Sequence, residues 1–149
     1  MLETDYPHLT VAAVCEKEGK FLFVREQSET GLVINQPAGH VEPNESILDA
    51  VVRETYEETG WKVRPESFLG LSQYKAPANG VSYVRLSFVV SAQKYHPEVE
   101  LDDGIEEALW LSYEEASKMR VRSPLVVHSL RLYQQNVRYP LTLLHHQIQ

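Results

Sequence analysis

Residues 39–61, GHVEPNESILDAVVRETYEETGW, constrain this chain more than any other segment. Seven of them stand in the frame Gly-x5-Glu-x7-Arg-Glu-x2-Glu-Glu-x-Gly. Each of these residue types has a background frequency of roughly 7%, so the frame should arise by chance on the order of once in 10^8 windows. The segment therefore has a specific chemical role. The seven frame residues are Gly39, Glu45, Arg53, Glu54, Glu57, Glu58 and Gly60.

The middle of this segment predicts a helix over about residues 46–59. Pro43 and Asn44 break the preceding chain, and Asn44 or Ser46 can cap the helix start. Gly60 suits the left-handed conformation that often follows a helix. Apolar residues at helical spacing anchor one side of the predicted helix to a core, and these are Ile47, Leu48, Val51, Val52 and Tyr56.

Three carboxylates form an acidic stripe on this helix. At about 100° per residue, Glu54, Glu57 and Glu58 fall within an arc of about 100°. Two such charges roughly 6 Å apart repel by about 3 kcal/mol at an effective dielectric constant of 20. A bare stripe of this kind is usually solvated surface. Inside the full frame it favours a divalent cation, because Mg2+ and Mn2+ prefer carboxylate oxygens.

The remaining sequence predicts a mixture of strands and helices. Strands are predicted at 9–15 and 20–25, joined by a turn at Glu18-Gly19, and residues 27–35 are predicted as a polar loop. Ser112 opens a short helix, and Ser123-Pro124 opens another that runs to about Asn136. This order predicts an α/β or α+β fold with a mixed sheet. Further strands are predicted at 61–64, 68–74, 81–92 and 107–111.

Length and composition limit the class of protein. The 149 residues favour a single domain over residues 1–149. A net charge of −7 disfavours nucleic-acid binding, and the single cysteine fits a reducing compartment. No apolar run approaches the roughly 18 residues of a membrane span, and the N-terminus lacks a signal-peptide pattern. We expect a cytoplasmic monomer or homodimer without nucleic-acid or membrane partners.

The seven-residue frame is identified as the Nudix box, and the chain resembles the Nudix hydrolases, which cleave a diphosphate linked to another group. The resemblance implies an α/β/α sandwich and a small phosphorylated substrate, a nucleotide or another pyrophosphate. It also implies that Glu54, Glu57 and Glu58 hold Mg2+ or Mn2+, with a metal contact from the Gly39 carbonyl. Thr55 and Trp61 replace the usual aliphatic residues, but neither position supplies a metal ligand.

The resemblance also implies catalytic roles. Glu54, Glu57 and Arg53 belong to the box, while the general base is a box glutamate or an acid from a later loop. The loop candidates are Glu106, which is the first choice, and Glu107, with Asp102 and Asp103 ranked behind them.

Sequence outside the box resembles one branch of the family, the bacterial NudJ-type phosphatases. The similar segments are GKFLFV at 19–24, NQPAGHVE at 35–42, RSPLV at 122–126 and RYPL at 138–141. This branch implies release of orthophosphate from nucleoside tri- and diphosphates, or from hydroxymethylpyrimidine and thiamine pyrophosphates. The alternatives are a nucleotide-sugar or ADP-ribose pyrophosphatase, and a non-catalytic Nudix binding module. Such modules typically lose box glutamates, whereas this chain keeps all three of the acidic stripe.

Substrate contacts must come from outside the box. Guanidinium groups can bind phosphate with two hydrogen bonds, so four arginines are candidates. Tyr74, Tyr83 and Trp61 can stack on a ring, although aromatic residues in strands more often pack in the core. Arg85 stands out because it lies inside an apolar strand, and the other three candidates are Arg25, Arg122 and Arg138.

Overall fold

The computed structural model describes residues 2–148. Its strands are β1 (His8–Lys17), β2 (Lys20–Ser28), β3 (Gly31–Asn35), β4 (Ala38–His40), β5 (Trp61–Lys75), β6 (Ser82–Tyr95) and β7 (Ile105–Leu111). Its helices are α1 (Ile47–Thr59), α2 (Tyr113–Ser117) and α3 (Pro124–Gln134), with short 3-10 turns at Glu3–Asp5 and Leu141–Leu143. None of the helices in this range is long and apolar enough to cross a membrane.

The seven strands form one mixed sheet. Its main path runs β3-β2-β1-β6-β5, while β4 pairs with β1 and β7 pairs with β2. The β1–β6 pair is parallel and the other strand pairs are antiparallel. Along one edge, β1 pairs first with β4 and later with β2, so the sheet forks beside β4.

Helices cover both faces of the sheet, as an α/β/α sandwich requires. Val11, Ala13 and Cys15 of β1 pack in one core with Ala50 and Val51 of α1. Val14 packs in a second core on the other face, with Val126 and Leu130 of α3. Because β1 is buried on both faces, its sequence reads as a continuous apolar run.

The predicted box helix is confirmed. Ser46 is its N-cap, and its hydroxyl accepts a hydrogen bond from the Asp49 N–H at 3.0 Å. Gly60 ends the helix with φ +78°, in the left-handed region where glycine is favoured. The predicted β1–β2 hairpin and the capping box at Ser112 are confirmed as well.

Two predictions about elements were wrong. Residues 27–35 are not a polar loop, because β2 continues to Ser28 and β3 occupies Gly31–Asn35 after a turn. The strands predicted at 61–64 and 68–74 are one strand, in which register irregularities absorb Pro65. Residues Ala38–His40 form β4, a short strand for which no prediction was made. The predicted helix after Ser123 is confirmed and ends at Gln134, and Asn136 takes φ +59°.

Candidate active site

Three carboxylates converge where the acidic side of α1 meets a loop. Glu54 and Glu58 lie one turn apart on α1, and Asp102 comes from the loop before β7. One oxygen from each carboxylate can be chosen so that all lie within 4.8 Å of one another. The Asp102 N–H donates to the Glu57 carbonyl at 3.2 Å, which fixes the loop against the helix end. We call these three residues the acidic cluster.

Burial makes the two glutamates of the acidic cluster costly to ionise, while Asp102 is exposed. Glu58 is 9% exposed, and its carboxylate accepts a hydrogen bond from the Ala38 N–H at 3.0 Å. Desolvation raises the pKa of Glu58 to about 9, and it is also the main cause that raises the pKa of Glu54 and of Asp102. A divalent cation would offset this cost, and the all-oxygen donor set suits Mg2+ or Mn2+.

Strand β4 packs closely against the acidic cluster at Gly39. A Cβ atom built on Gly39 would lie less than 3.0 Å from three atoms of the Glu54 carboxylate. Glycine is therefore required by this close approach, which brings the β4 backbone beside the candidate metal ligands. The proximity is consistent with the role that the family resemblance implies for the Gly39 carbonyl.

Arg53 connects helix α1 to β4 and to the loop between them. Its Nε donates to Glu45 at 2.6 Å, and its Nη1 donates to both Glu54 and Glu57 at 2.8 Å. Its Nη2 donates to the His40 carbonyl at 3.0 Å. Hydrogen bonding to Glu45, and then to Glu57 and Glu54, raises the pKa of Arg53 despite partial burial. Glu57 is thus bound by Arg53 and lies outside the acidic cluster.

These contacts predict the effect of replacing Arg53 with glutamine. The variant loses the positive charge that pairs with Glu54. It also loses the guanidinium hydrogen bonds to Glu45 and to the His40 carbonyl. We expect the free energy of unfolding to fall by about 1–3 kcal/mol and the rate of phosphate release by at least about tenfold. Denaturant melts and steady-state kinetics measure the two effects. Arg64→Gln is the matched control, because Arg64 is 66% exposed and, among residues 2–148, pairs only with Glu66. An equal loss in both variants would contradict the assignment.

A cleft of about 470 Å³ opens beside the acidic cluster. Glu54 and Glu58 line one side of it together with β4, while the loop at residues 76–79 lines another. Of the residues predicted to bind substrate, Arg85, Arg122 and Tyr74 line the cleft, as does Tyr83. Its other polar lining residues include Thr10, Glu26, Asn35 and His40.

Other sequence candidates lie away from this cleft. Arg25 forms an ion pair with Glu107, and Glu106 accepts a hydrogen bond from Gln27 at 3.0 Å. Neither Arg25 nor Glu106 is among the residues that line the cleft. Trp61 packs against Tyr95 and Trp110, and Arg138 lies over the Tyr133 ring.

Three residues of the site were ranked low or not identified from the sequence. Asp102 ranked behind Glu106 because nothing in an acidic loop tells which carboxylate turns toward a helix. Asn35 was missed because it lies in the segment 27–35 that was predicted as a loop, and Glu26 was missed because it lies between that segment and the strand predicted at 20–25. The continuous apolar run of Leu32, Val33 and Ile34, bounded by Gly31 and Asn35, was the signal that could have indicated β3.

An α/β/α sandwich with a carboxylate cluster beside a polar cleft is an arrangement suited to hydrolysis of small phosphorylated compounds. Residues 6–132 match the model of the NUDIX domain. The chain belongs to the Nudix family and is a Nudix hydrolase, which confirms the enzyme prediction over the non-catalytic alternative.

Relatives and solved structures agree with this assignment. The chain is 40% identical over 139 residues to Phosphatase NudJ of Escherichia coli K12 and of Shigella boydii, covering 93% of this chain and 90% of each relative. A NUDIX hydrolase structure from Nitrosomonas europaea is 39% identical with a TM-score of 0.92, covering 95% of this chain and 98% of that one. A MutT NUDIX hydrolase from Burkholderia pseudomallei, 21% identical with a TM-score of 0.73 over 86% of this chain and 98% of that one, shares the fold.

Proposed function

We propose that this protein is a divalent-metal-dependent phosphatase that releases orthophosphate from nucleoside tri- or diphosphates or from related pyrophosphates. The observation that carries the proposal is the acidic cluster beside a polar cleft of about 470 Å³. The similarity to Phosphatase NudJ over most of both chains supports phosphatase chemistry within the family.

We assign the metal ligands to the acidic cluster. Glu54, Glu58 and Asp102 would hold Mg2+ or Mn2+, and the Gly39 carbonyl is the expected backbone ligand. A bound divalent cation neutralises the developing phosphate charge and lowers the pKa of a coordinated water. Glu57 remains a candidate ligand or base that would have to exchange its contact with Arg53.

The chain's own residues would position the reacting groups. Arg53 fixes the Glu54 carboxylate and the carbonyl of His40, which follows Gly39 directly. We prefer Asp102 to Glu106 as the loop acid nearest the reaction, because Glu106 is bound to Gln27 outside the cleft. Arg85, Arg122 and Tyr74 remain the candidate substrate contacts, whereas Arg25 is held by Glu107.

The products of a nucleoside triphosphate distinguish this proposal from pyrophosphatase chemistry. We expect orthophosphate and a nucleoside diphosphate, because phosphatase chemistry removes the terminal phosphoryl group. Phosphorus NMR of the reaction with Mg2+ identifies the products directly, and a chelator control should show no turnover. Inorganic pyrophosphate with a nucleoside monophosphate would contradict the proposal and favour the pyrophosphatase alternative.

A further inference from the structure

Arg85 is a buried cation that forms no direct salt bridge within residues 2–148, although the charges of Glu26 and Glu58 act on it. The residue is 6% exposed, and desolvation lowers its pKa to about 10. Nη1 donates to the Asn35 side-chain oxygen at 3.3 Å, and Nη2 donates to the Gln36 side-chain oxygen at 2.6 Å. Nε has no hydrogen-bond partner within residues 2–148, and no carboxylate there forms a salt bridge with Arg85.

The two carboxamides hold the Arg85 guanidinium in a fixed plane. Gln36 is itself fixed, because its amide donates to the Val126 carbonyl of α3 at 2.9 Å. A guanidinium has five N–H donors, and these two contacts use only part of that capacity. A buried donor left unpaired is unfavourable, so a ligand acceptor at this position would be strongly favoured.

Glu26 places an acceptor beside these donors. Its side chain is 12% exposed and bonded to Arg122, and it also receives a hydrogen bond from Asn35. Burial raises the pKa of Glu26 despite these contacts. A carboxylate offers about four acceptor positions, so Glu26 can accept from a ligand as well. We call Glu26, Asn35, Arg85 and Arg122 the polar floor of the cleft.

Three aromatic side chains, those of His8, Tyr83 and Tyr74, lie side by side next to the polar floor, and we call them the aromatic row. Tyr83 and Arg85 are two residues apart on β6, so their side chains share one face of the sheet about 7 Å apart. Tyr74 of β5 and His8 of β1 pair with Tyr83 across the sheet. The Asn79 amide donates to the Tyr83 hydroxyl at 3.1 Å, which steadies the ring.

The electrostatics of the polar floor disfavour a phosphate ligand at Arg85. Glu26 would repel phosphate oxygens, and its carboxylate already neutralises Arg122. The hydrogen-bond partners of Arg85 are neutral carboxamides, and the charge of Glu26 opposes that of Arg85. Because the two charges offset each other, the free edge of Arg85 suits a neutral acceptor such as a ring nitrogen or carbonyl. Glu26 offers an acceptor and Arg85 offers a donor next to it. This pair is complementary to the edge of a heteroaromatic amide or amidine, which carries a donor next to an acceptor.

We propose that Glu26 and Arg85 determine specificity by contacting the hydrogen-bonding edge of a planar heteroaromatic ring attached to the diphosphate. The ring face would lie against the aromatic row, and its phosphates would reach the acidic cluster. This inference rests on the proposed function, because it assumes that the diphosphate is held by the cluster.

Binding of two non-hydrolysable ligands tests the inference. Imidodiphosphate carries only the phosphate portion, whereas the β,γ-imido analogues of the four common ribonucleoside triphosphates add a ring. Calorimetry with Mg2+ measures both dissociation constants. For Glu26→Gln and Arg85→Lys we expect the best-bound nucleotide analogue to weaken by about tenfold or more, and imidodiphosphate to change by less than about threefold.

The neighbouring ion pair on β2 and β7 supplies matched controls. Arg25→Lys and Glu107→Gln make the same chemical changes outside the cleft, so both ligands should bind within about twofold of wild type. If Arg85→Lys does not give a folded protein by thermal melting, Glu26→Gln carries the test.

Three outcomes would overturn the inference. These are equal weakening of both ligands, no weakening of either, and wild-type protein that binds every nucleotide analogue no more tightly than imidodiphosphate. The proposed function fails separately, through the absence of phosphate release by wild-type enzyme with Mg2+.

Discussion

Replacement of Glu58 by glutamine is expected to lower the rate of metal-dependent phosphate release by about 10^3-fold or more. Glu58 is the most buried member of the acidic cluster, and its oxygen lies close to those of Glu54 and Asp102. Glutamine keeps the side-chain length and an oxygen that can still accept from the Ala38 N–H. It removes the negative charge that a divalent cation requires.

The variant separates a loss of chemistry from a loss of fold. We expect the free energy of unfolding to change by no more than about 1 kcal/mol, because no packing volume is lost. Steady-state rates at saturating Mg2+, and Mn2+ titrations followed by calorimetry, measure activity and metal affinity. Glu114→Gln neutralises an 83% exposed acid on α2 and should leave both unchanged. Wild-type rates in Glu58→Gln would exclude Glu58 from the metal site.

The helix carrying the cluster was predictable because its signals are local. The cap at Ser46, the left-handed glycine at Gly60 and the acidic spacing all lie within one short segment. Neighbouring residues fix a helix, so its faces follow from the turn angle alone. The arginine at position 53 could likewise be placed beside the stripe from sequence.

The partner of that helix could not be predicted, because it depends on how a distant loop folds back. Asp102 and Glu106 are four residues apart in an acidic segment, and each is a plausible loop acid by composition. The hydrogen bond from the Asp102 N–H to the Glu57 carbonyl selects the first, while Gln27 holds the second. Both choices are tertiary contacts that local propensity does not encode.

The contacts of Arg85 and Glu26 could not be predicted for the same reason. An arginine inside an apolar strand indicated partial enclosure, but its contacts come from Asn35 and Gln36, at and just after the end of a strand that was predicted as loop. Once β3 is placed beside β2, Asn35 and Glu26 can meet at the end of the cleft. The substrate end of the site was therefore less predictable than the metal end.

Replacement of Gly39 by alanine is the second variant with a large expected effect. The added Cβ would overlap the Glu54 carboxylate, so either β4 or Glu54 must move. Overpacking of this kind costs about 1–3 kcal/mol of stability. A shift of about 1 Å in a catalytic group can lower the rate by about 10^2-fold, and we expect a loss of at least that size.

Gly70→Ala provides the matched control in another strand. Its Cβ would meet only the Leu132 Cδ1 atom, at 3.2 Å, and that methyl group can move aside. We expect near-wild-type rates and a small change in melting temperature. Equal rate losses in both glycine variants would show that the effect is general strand damage.

A double variant distinguishes the overlap itself from other causes. Glu54→Asp shortens the side chain by one methylene, which relieves the overlap in Gly39→Ala but withdraws a candidate metal ligand. We therefore expect the double variant to regain part of the stability lost by Gly39→Ala while phosphate release remains low. If the two substitutions are non-additive in the free energy of unfolding while the rate stays low, the loss of stability in Gly39→Ala comes from overlap with Glu54. Gly39 is then required because the β4 backbone and the Glu54 carboxylate lie directly against each other.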